Sequence, residues 1–370
     1  MGKQKPAEMQ QLSTRQRHRL AAAGIVYVLI FAVYLTAAAA VLIHDRRAEE
    51  RSWVTAVTVD ADTAARVKAL SADAVHVQAG TYVESLPQLS LHDSSFSINM
   101  LVWFRWNGDA ALDPAGHFHI YKGVLDEKTL VKETHENGVN YQLLRVRATV
   151  EKVFWTRRFP LDSHQLRCYI EMERPVQQVV LDADTRNSGI NTALSLAGYR
   201  VTAAQVAPYF TAYDSTHDDP DLSEPYVSSE LVTQIAIVRE GAGMYVKCFI
   251  ALWGSVCWTL IALFINAYHK VDPLEMLPGA LFGAVSNVMV GASLLPDALE
   301  AGLLEYGNIF GILIILLSTV SVIAVNRQRS PDGGPPNEAY ARICGRMSLG
   351  IIAIFTLAGN LLLPLAAWAL

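Results

Sequence analysis

Five long apolar stretches divide the chain. Each contains about 20 residues, the length at which a helix crosses the hydrocarbon core of a bilayer. They are Leu20–Ile43, Cys248–Tyr268, Met276–Pro296, Tyr306–Val325 and Met347–Leu370. The last four follow one another with only short links between them. The sequence therefore predicts a four-helix transmembrane region and a separate N-terminal transmembrane helix.

Between the first two apolar stretches the pattern changes to an alternation of apolar and polar positions, from Val75 to Glu240. A period of two is typical of strands that bury one face. The candidate strands are Ala74–Ala79, Ser95–Trp106, Tyr141–Phe154, Gln165–Glu173, Tyr199–Ala207 and Val227–Arg239. The charged segment Ala48–Leu70 before them is a candidate for a short helix. The predicted fold class is mixed: an external β-sandwich followed by an all-α four-helix transmembrane bundle, plus one N-terminal transmembrane helix.

Basic residues set the predicted orientation, because positively charged segments next to a span stay in the cytoplasm. They are Lys3, Lys5, Arg15, Arg17 and Arg19 before the first span, and Arg327, Arg329, Arg342 and Arg346 in the last link. The predicted domains are a cytoplasmic basic tail at residues 1–19, a transmembrane helix or signal anchor at 20–43, an external β-sandwich at 44–246 and a four-helix membrane domain at 247–370. The run Ala37–Ala40 leaves an alternative open, in which a signal peptidase removes the first span.

Composition agrees with one soluble and one membrane domain, since 52% of the 370 residues are hydrophobic and 18% are charged. The net charge of −5 gives no reason to expect a nucleic-acid partner. Cys168 is the one cysteine of the predicted β-sandwich, so no disulfide within that domain is expected. The sequence has no phosphate-binding glycine loop and no Gly-x-Ser-x-Gly motif, so neither an enzyme nor a cofactor is predicted. We interpret His117 and His119 as a solvated loop pair, because no further metal ligands can be placed beside them.

The segment Val150–Glu173, VEKVFWTRRFPLDSHQLRCYIEME, contains the most specific motif. Phe159, Pro160, Leu161 and Asp162 form a turn between two strand-like runs, and the proline stiffens it. Phe159 and Leu161 are apolar at a loop tip, which predicts that the tip docks on another part of the protein. The alternative is an ordinary hydrophobic turn of a sandwich.

In this order of elements the chain resembles the pentameric ligand-gated ion channels in their bacterial form, with an additional N-terminal span. The motifs that carry the resemblance are the aromatic strand Phe96–Asp109, the Phe159–Asp162 turn, Gly198-Tyr199 before a tyrosine-bearing loop, and Arg239 just before the first helix of the bundle. The resemblance covers residues 75–370. It implies a bacterial inner membrane location, with residues 44–246 in the periplasm, and self-association into a pentamer surrounded by membrane lipid. The cysteines that close this turn in eukaryotic relatives are absent here.

The resemblance also implies roles for particular residues. The coupling residues would be Phe159, Pro160, Leu161, Asp162, Arg239 and Pro296, with Arg239 paired to Asp162 and Pro296 ending the pore helix. The pore-lining residues would be Asp272, Glu275, Gly279, Phe282, Ser286, Met289 and Ser293, which recur on one helix face. Rings of Phe282 would gate the pore, and rings of Asp272 and Glu275 would favour cations. The alternative for Glu275 is a helix-capping role, and Pro278 departs from the usual pore helix, which it would kink or shorten.

A ligand site is implied in the loop Pro208–Pro225, under which ligands of this family bind. The candidate residues are Tyr209, Tyr213, Tyr226, Asp218 and Asp219. Aromatic rings with carboxylates suit an organic cation, Ca²⁺ or a proton signal, and a merely solvated acidic loop is the alternative. The predicted function is a homopentameric, cation-selective ligand-gated channel; a non-conducting membrane sensor or scaffold is the alternative. The extra N-terminal span is expected to pack at the periphery or to tether the ring.

Overall fold

The computed structural model describes residues 12–55, 59–216, 225–295, 301–330 and 337–368. The chain divides into two compact units, one helical and one built on strands. The helical unit contains Met1–Arg47, Thr156–Leu161 and Ala242–Leu370, and the β unit contains Ala48–Trp155 and Asp162–Gly241. The six-residue turn Thr156–Leu161 therefore belongs to the helical unit, although the residues before and after it belong to the β unit.

Six α-helices lie in the described part of the chain. They are α1 Thr14–Thr55, α2 Ala61–Leu70, α3 Gly243–His269, α4 Leu277–Leu294, α5 Leu303–Arg329 and α6 Glu338–Ala367. All except α2 are long and apolar enough to span a membrane, counting the 3₁₀ turn before α4 with that helix. The helices extend beyond the predicted apolar stretches at most ends, since a helix continues into polar residues that favour helix. At 1.5 Å per residue, α1 is roughly 60 Å long, about twice the thickness of a bilayer core.

The C-terminal helices pack on one another within the helical unit. Helix α3 contacts α4, α5 and α6, and α5 contacts α4 and α6. Small residues permit close approach: a Cβ atom at Gly311 would lie 2.3 Å from Leu252, and one at Gly359 would lie 2.2 Å from Phe310. Asn287 of α4 donates to Asn308 of α5 at 2.7 Å, and both side chains are buried.

Among the described residues of the β unit, ten strands form two sheets. They are β1 Val75–Ser90, β2 Ser95–Asn107, β3 Phe118–Tyr121, β4 Gly123–Glu136, β5 Val139–Glu151, β6 Ser163–Pro175, β7 Val179–Ala183, β8 Gly189–Ile190, β9 Tyr199–Ala212 and β10 Val227–Arg239. The first sheet has the order β4-β5-β2-β1-β7, with β8 also paired to β1, and the second has the order β3-β6-β10-β9. Apolar side chains of both sheets form one core, including Phe96, Phe104, Ile170 and Leu231. The prediction of a sandwich-like strand region and several apolar helices is confirmed.

Several strands were not predicted. Among the described strands, β4 lies at a sheet edge and pairs only with β5, and most of its side chains are exposed. Its sequence, GVLDEKTLVKETHE, therefore lacks the alternation that marks a half-buried strand. Strands β3, β7 and β8 have only two to five residues, too few to show a period. The short helix expected in Ala48–Leu70 is present as α2, where the Asp60 side chain accepts hydrogen bonds from the main-chain nitrogens of Asp62 and Thr63.

Candidate functional site

The turn Thr156–Leu161 has a buried apolar tip. Phe159 is only 2% exposed, and the Phe159–Pro160 peptide bond is cis. Main-chain hydrogen bonds from Phe159 to Thr156 at 2.9 Å and from Leu161 to Arg158 at 2.8 Å close the turn on itself. A loop tip with this composition is stable only when other groups cover it.

The turn docks on two helix ends of the helical unit. The main-chain nitrogen of Leu303, the first residue of α5, donates to the carbonyl oxygen of Arg157 at 2.7 Å. Next to it, Gly302 lies so close that a Cβ atom there would be 2.4–2.8 Å from Arg157 main-chain atoms. The buried Arg158 side chain donates from Nε to the carbonyl of Ala367 at the end of α6, at 2.9 Å. Arg157 and Arg158 thus hold the turn against the start of α5 and the end of α6; the predicted partner Pro296 lies outside the described residues.

Asp162 is at the centre of a buried polar network in the β unit. The strand register produces the network. The end of β10, where Arg239 lies, is beside the start of β6, and Arg239 is paired with Tyr199 at the start of β9. Arg239 donates from Nε to Oδ1 at 2.6 Å and from Nη2 to Oδ2 at 3.2 Å, a bidentate pair. Tyr199 donates to Oδ2 at 2.7 Å, and His164 lies 2.6 Å from the same oxygen. The expected Asp162–Arg239 pair is therefore present.

Electrostatics fix the protonation of this network. Burial alone would raise the pKa of the Asp162 carboxyl, but the hydrogen bonds from His164 and Arg239 and the charge of the Arg239 guanidinium outweigh it and hold that pKa well below its usual range. Burial lowers the pKa of His164, so its imidazole is neutral at pH 7. Neutral His164 then donates its Nε2 proton to the Asp162 carboxylate. The Arg239 guanidinium also lies 4.3 Å from the ring centre of Tyr199, which adds a cation–π contact.

One side of helix α4 is not covered by the other described residues of the chain, and the predicted pore-facing residues lie on that side. Phe282 is 75% exposed and Met289 is 72% exposed, while Ala280, Ala284 and Asn287 are buried on the opposite side of the helix. Gly279 and Ser293 are also exposed, and Ser286 is half-buried. These residues therefore share one exposed face.

The start of α4 resolves the uncertainty about its prolines. A 3₁₀ turn at Leu274–Met276 precedes the helix, and Pro278 lies in the first α-helical turn, where a missing N–H leaves no hydrogen bond unmade. Of the two effects predicted for Pro278, a kink or a later start, the α-helix shows the later start, at Leu277. Just before this turn, Asp272 accepts a hydrogen bond from the main-chain nitrogen of Leu274 at 3.0 Å. Glu275 is exposed in the same turn.

A tyrosine and carboxylate cluster lies on the second sheet, on the face opposite the core. Strand pairing puts His119, Glu171, Glu230 and Tyr209 in one row across β3, β6, β10 and β9. Glu171 is 2% exposed and Glu230 is fully buried. Tyr213 donates to Glu171 Oε1 at 2.8 Å, and His119 Nε2 lies 3.3 Å from Glu171 Oε2. Among the described residues, no group of three side chains is arranged to hold a metal ion.

The predicted ligand residues fall partly in this cluster. The ring of Tyr209 meets Tyr169 edge-on at 5.7 Å, and Tyr213 meets Tyr226 at 5.8 Å. Asp218 and Asp219 lie outside the described residues. The interpretation of the histidines as a loop pair was wrong for His119, which belongs to strand β3 and faces Glu171.

Sequence reasoning missed Glu171 and Glu230. Their positions in predicted strands were visible, but only the register shows that the two carboxylates lie directly opposite each other. Burial raises the pKa of Glu230 to about 7, helped by the neighbouring charge of Glu171. Burial also opposes ionisation of Glu171, but hydrogen bonds from His119 and Tyr213 outweigh it and lower the pKa of Glu171. Glu230 is therefore the carboxyl that keeps a proton near neutral pH.

Replacement of Glu230 by glutamine tests this assignment. Folded Glu230 binds a proton up to about pH 7, whereas an unfolded glutamate loses it near pH 4.5. The stability of the folded protein therefore decreases as the pH rises between these two values, by about 3 kcal/mol in total. We expect Glu230→Gln to flatten this decline and to be the more stable protein at pH 8, measured by denaturant unfolding at pH 5 and pH 8. Glu173→Gln, at a half-exposed site, is the control; an unchanged slope in the Glu230 variant would contradict the assignment.

The described residues thus contain four groups of interest: the docked turn, the Asp162 network next to it in sequence, the exposed face of α4, and the tyrosine and carboxylate cluster. Comparison of the chain with protein-family models and with curated proteins gives no match.

Proposed function

We propose that this chain forms a homopentameric ligand-gated ion channel, selective for cations, in a bacterial inner membrane. The observation that carries the proposal is the uncovered face of α4, with Phe282 and Met289 exposed on the side opposite the buried face. A face that combines Gly279, Ser286 and Ser293 with two large apolar side chains suits a water-filled path better than lipid.

A closed ring follows from this proposal. A single helix cannot enclose a pore, so the uncovered faces of several copies must surround a common axis, which cyclic symmetry provides. In that ring α3 to α6 would form the four-helix transmembrane bundle of each subunit, and the resemblance gives five subunits. Phe282 would form a hydrophobic constriction, and the exposed Asp272 and Glu275 would form carboxylate rings at the cytoplasmic mouth that favour cations.

Gating would pass from the external β domain to the helices through the docked turn. Two features support this role: the hydrogen bond between Arg157 and Leu303, and the contact of Arg158 with the end of α6. The tyrosine cluster around Tyr209, Tyr213 and Tyr226 is the proposed ligand site, and its carboxylates suit a cationic ligand or protons. Binding would shift the population between closed and open rings.

Ion flux through vesicles tests the proposal. Phe282→Ala removes the constriction. Without added ligand, we expect cations to enter vesicles that contain the variant at least about tenfold faster than vesicles that contain wild-type protein, as reported by a cation-sensitive dye inside the vesicles. Ile261→Ala is the matched control, since Ile261 is 48% exposed on α3 and is not in the proposed pore. Particle images of the purified protein should show five-fold rings. Absence of flux in the Phe282 variant, or a monomer or dimer, would reject the channel and favour a non-conducting sensor.

A further inference from the structure

Helix α1 packs tightly within the helical unit. Phe31 is fully buried, and its ring stacks on Phe355 of α6 at 5.2 Å and meets Phe310 of α5 edge-on at 5.9 Å. Leu42 is also fully buried, whereas Val33 on the other side of α1 is 66% exposed. The helix therefore has one face fitted to α5 and α6 and another that remains uncovered.

Polar contacts fix the position of α1 along α5. The Tyr27 hydroxyl donates to the carbonyl of Leu317 at 3.0 Å, and the Tyr34 hydroxyl donates to the carbonyl of Tyr306 at 2.7 Å. The order of these contacts shows that α1 runs antiparallel to α5. Hydroxyl groups in an apolar environment need such partners, so each bond specifies the register of the two helices.

The same helix reaches the turn. Asp45 of α1 is 5% exposed, and its Oδ1 lies 2.6 Å from Arg157 Nη1. The main-chain carbonyl of Arg157 accepts the hydrogen bond from Leu303 at the start of α5. Beside it, Arg46 Nη1 donates to the carbonyl of Trp368 at 2.6 Å, after the end of α6. Arg157 is therefore held by α1 through its side chain and by α5 through its main chain.

We propose that α1 is a functional fifth helix of the helical unit, and that Asp45 is a positioning residue that holds the turn Thr156–Leu161 against the start of α5. An anchor or tether needs only apolar length. It does not need a fully buried Phe31, two register-setting tyrosines and a buried carboxylate aimed at the turn. An effect of Asp45 on channel gating would rest on the proposed channel function, whereas its positioning of the turn does not.

Hydrogen exchange on the full-length protein tests the inference without any current measurement. The reporters are the amides of Phe159, Leu161 and Leu303, which are hydrogen-bonded in or to the turn. We expect Asp45→Asn to accelerate their exchange about tenfold or more, because Arg157 loses the charged contact with Asp45 and the turn opens locally. Amides in the middle of β6 and β10 should exchange at the wild-type rate. Glu50→Gln, an exposed site on the same helix, should leave all of them unchanged.

Two further variants make the result decisive. Phe31→Ala should accelerate the same three amides through loss of α1 packing, while Val33→Ala should not. The swap variant D45R with R157D should slow the exchange again relative to Asp45→Asn, since it restores the opposite charges. Unchanged exchange in Asp45→Asn, equal acceleration throughout β6 and β10, or a swap that exchanges as fast as the single variant would overturn the inference. Vesicle flux of the same proteins then reports separately on the channel function.

Discussion

Replacement of Asp162 by alanine should destabilise the protein by about 3–5 kcal/mol, the largest effect expected of any single change described here. Asp162 is fully buried, and its removal leaves the Arg239 guanidinium, 90% of which is covered, without its bidentate partner. Tyr199 and His164 lose an acceptor at the same time. Denaturant unfolding of full-length protein in detergent, followed through the signal of the β unit, measures this loss.

The control for this variant is Asp182→Ala, because Asp182 forms an exposed contact with His76 at 2.9 Å. An exposed pair of this kind contributes about 0–1 kcal/mol. The pH dependence adds a second test, since a folded pKa below the usual range means that Asp162 stabilises the fold above about pH 4 and loses this contribution as the pH falls further. Equal effects of the two substitutions would show that the network contributes little.

Replacement of Gly302 by alanine should separate the turn from α5. The new Cβ atom would lie 2.4–2.8 Å from main-chain atoms of Arg157, which cannot move aside as the end of a flexible side chain can. Overpacking of this kind costs about 1–3 kcal/mol, and the hydrogen bond between Leu303 and Arg157 would lengthen or break. We expect a lower thermal midpoint and faster exchange of the Leu303 amide.

The matched control is Gly350→Ala in α6, where no other atom lies within 4 Å of the new Cβ. Alanine in a helix interior stabilises by about 0.5–1 kcal/mol relative to glycine, so this variant should be as stable as wild-type protein or slightly more stable. If the channel function is correct, Gly302→Ala should also lose its response to ligand, while adding Phe282→Ala should still produce a leak. A Gly302 variant with wild-type stability and exchange would contradict the docking described for the turn.

The hydrophobic pattern was sufficient to predict the membrane-length helices and the strongly alternating strands. Strand β10 begins and ends where expected, at Val227–Arg239, between Pro225 before it and Gly241 after it. The pattern was insufficient for β4. Most side chains of this edge strand are exposed, so apolar and polar residues do not need to alternate along it. It was also insufficient for the end of α1, which continues past Ile43 into charged residues, where the buried Asp45 pairs with Arg157.

The candidate functional residues also divide into those that the sequence predicts and those that only the structure brings together. The turn motif and the proline in it are local features of the sequence, so a buried Phe159 could be predicted from them. The pairing of Glu171 with Glu230 depends on the register of two strands about 60 residues apart in the chain, which no local pattern specifies. The contact between Asp45 and Arg157 joins still more distant residues and required the structure.

The Asp162 network has a consequence for how the second sheet assembles. Its members come from the ends of β6, β9 and β10, so the carboxylate obtains all its partners only when these strands pair in the native alignment. A slip of one residue would turn Arg239 to the opposite face of the sheet and leave Asp162 buried without a counter-charge. The misaligned sheet would thus carry a penalty of several kcal/mol that the native one avoids. The network therefore favours the native alignment of these strands over a shifted one.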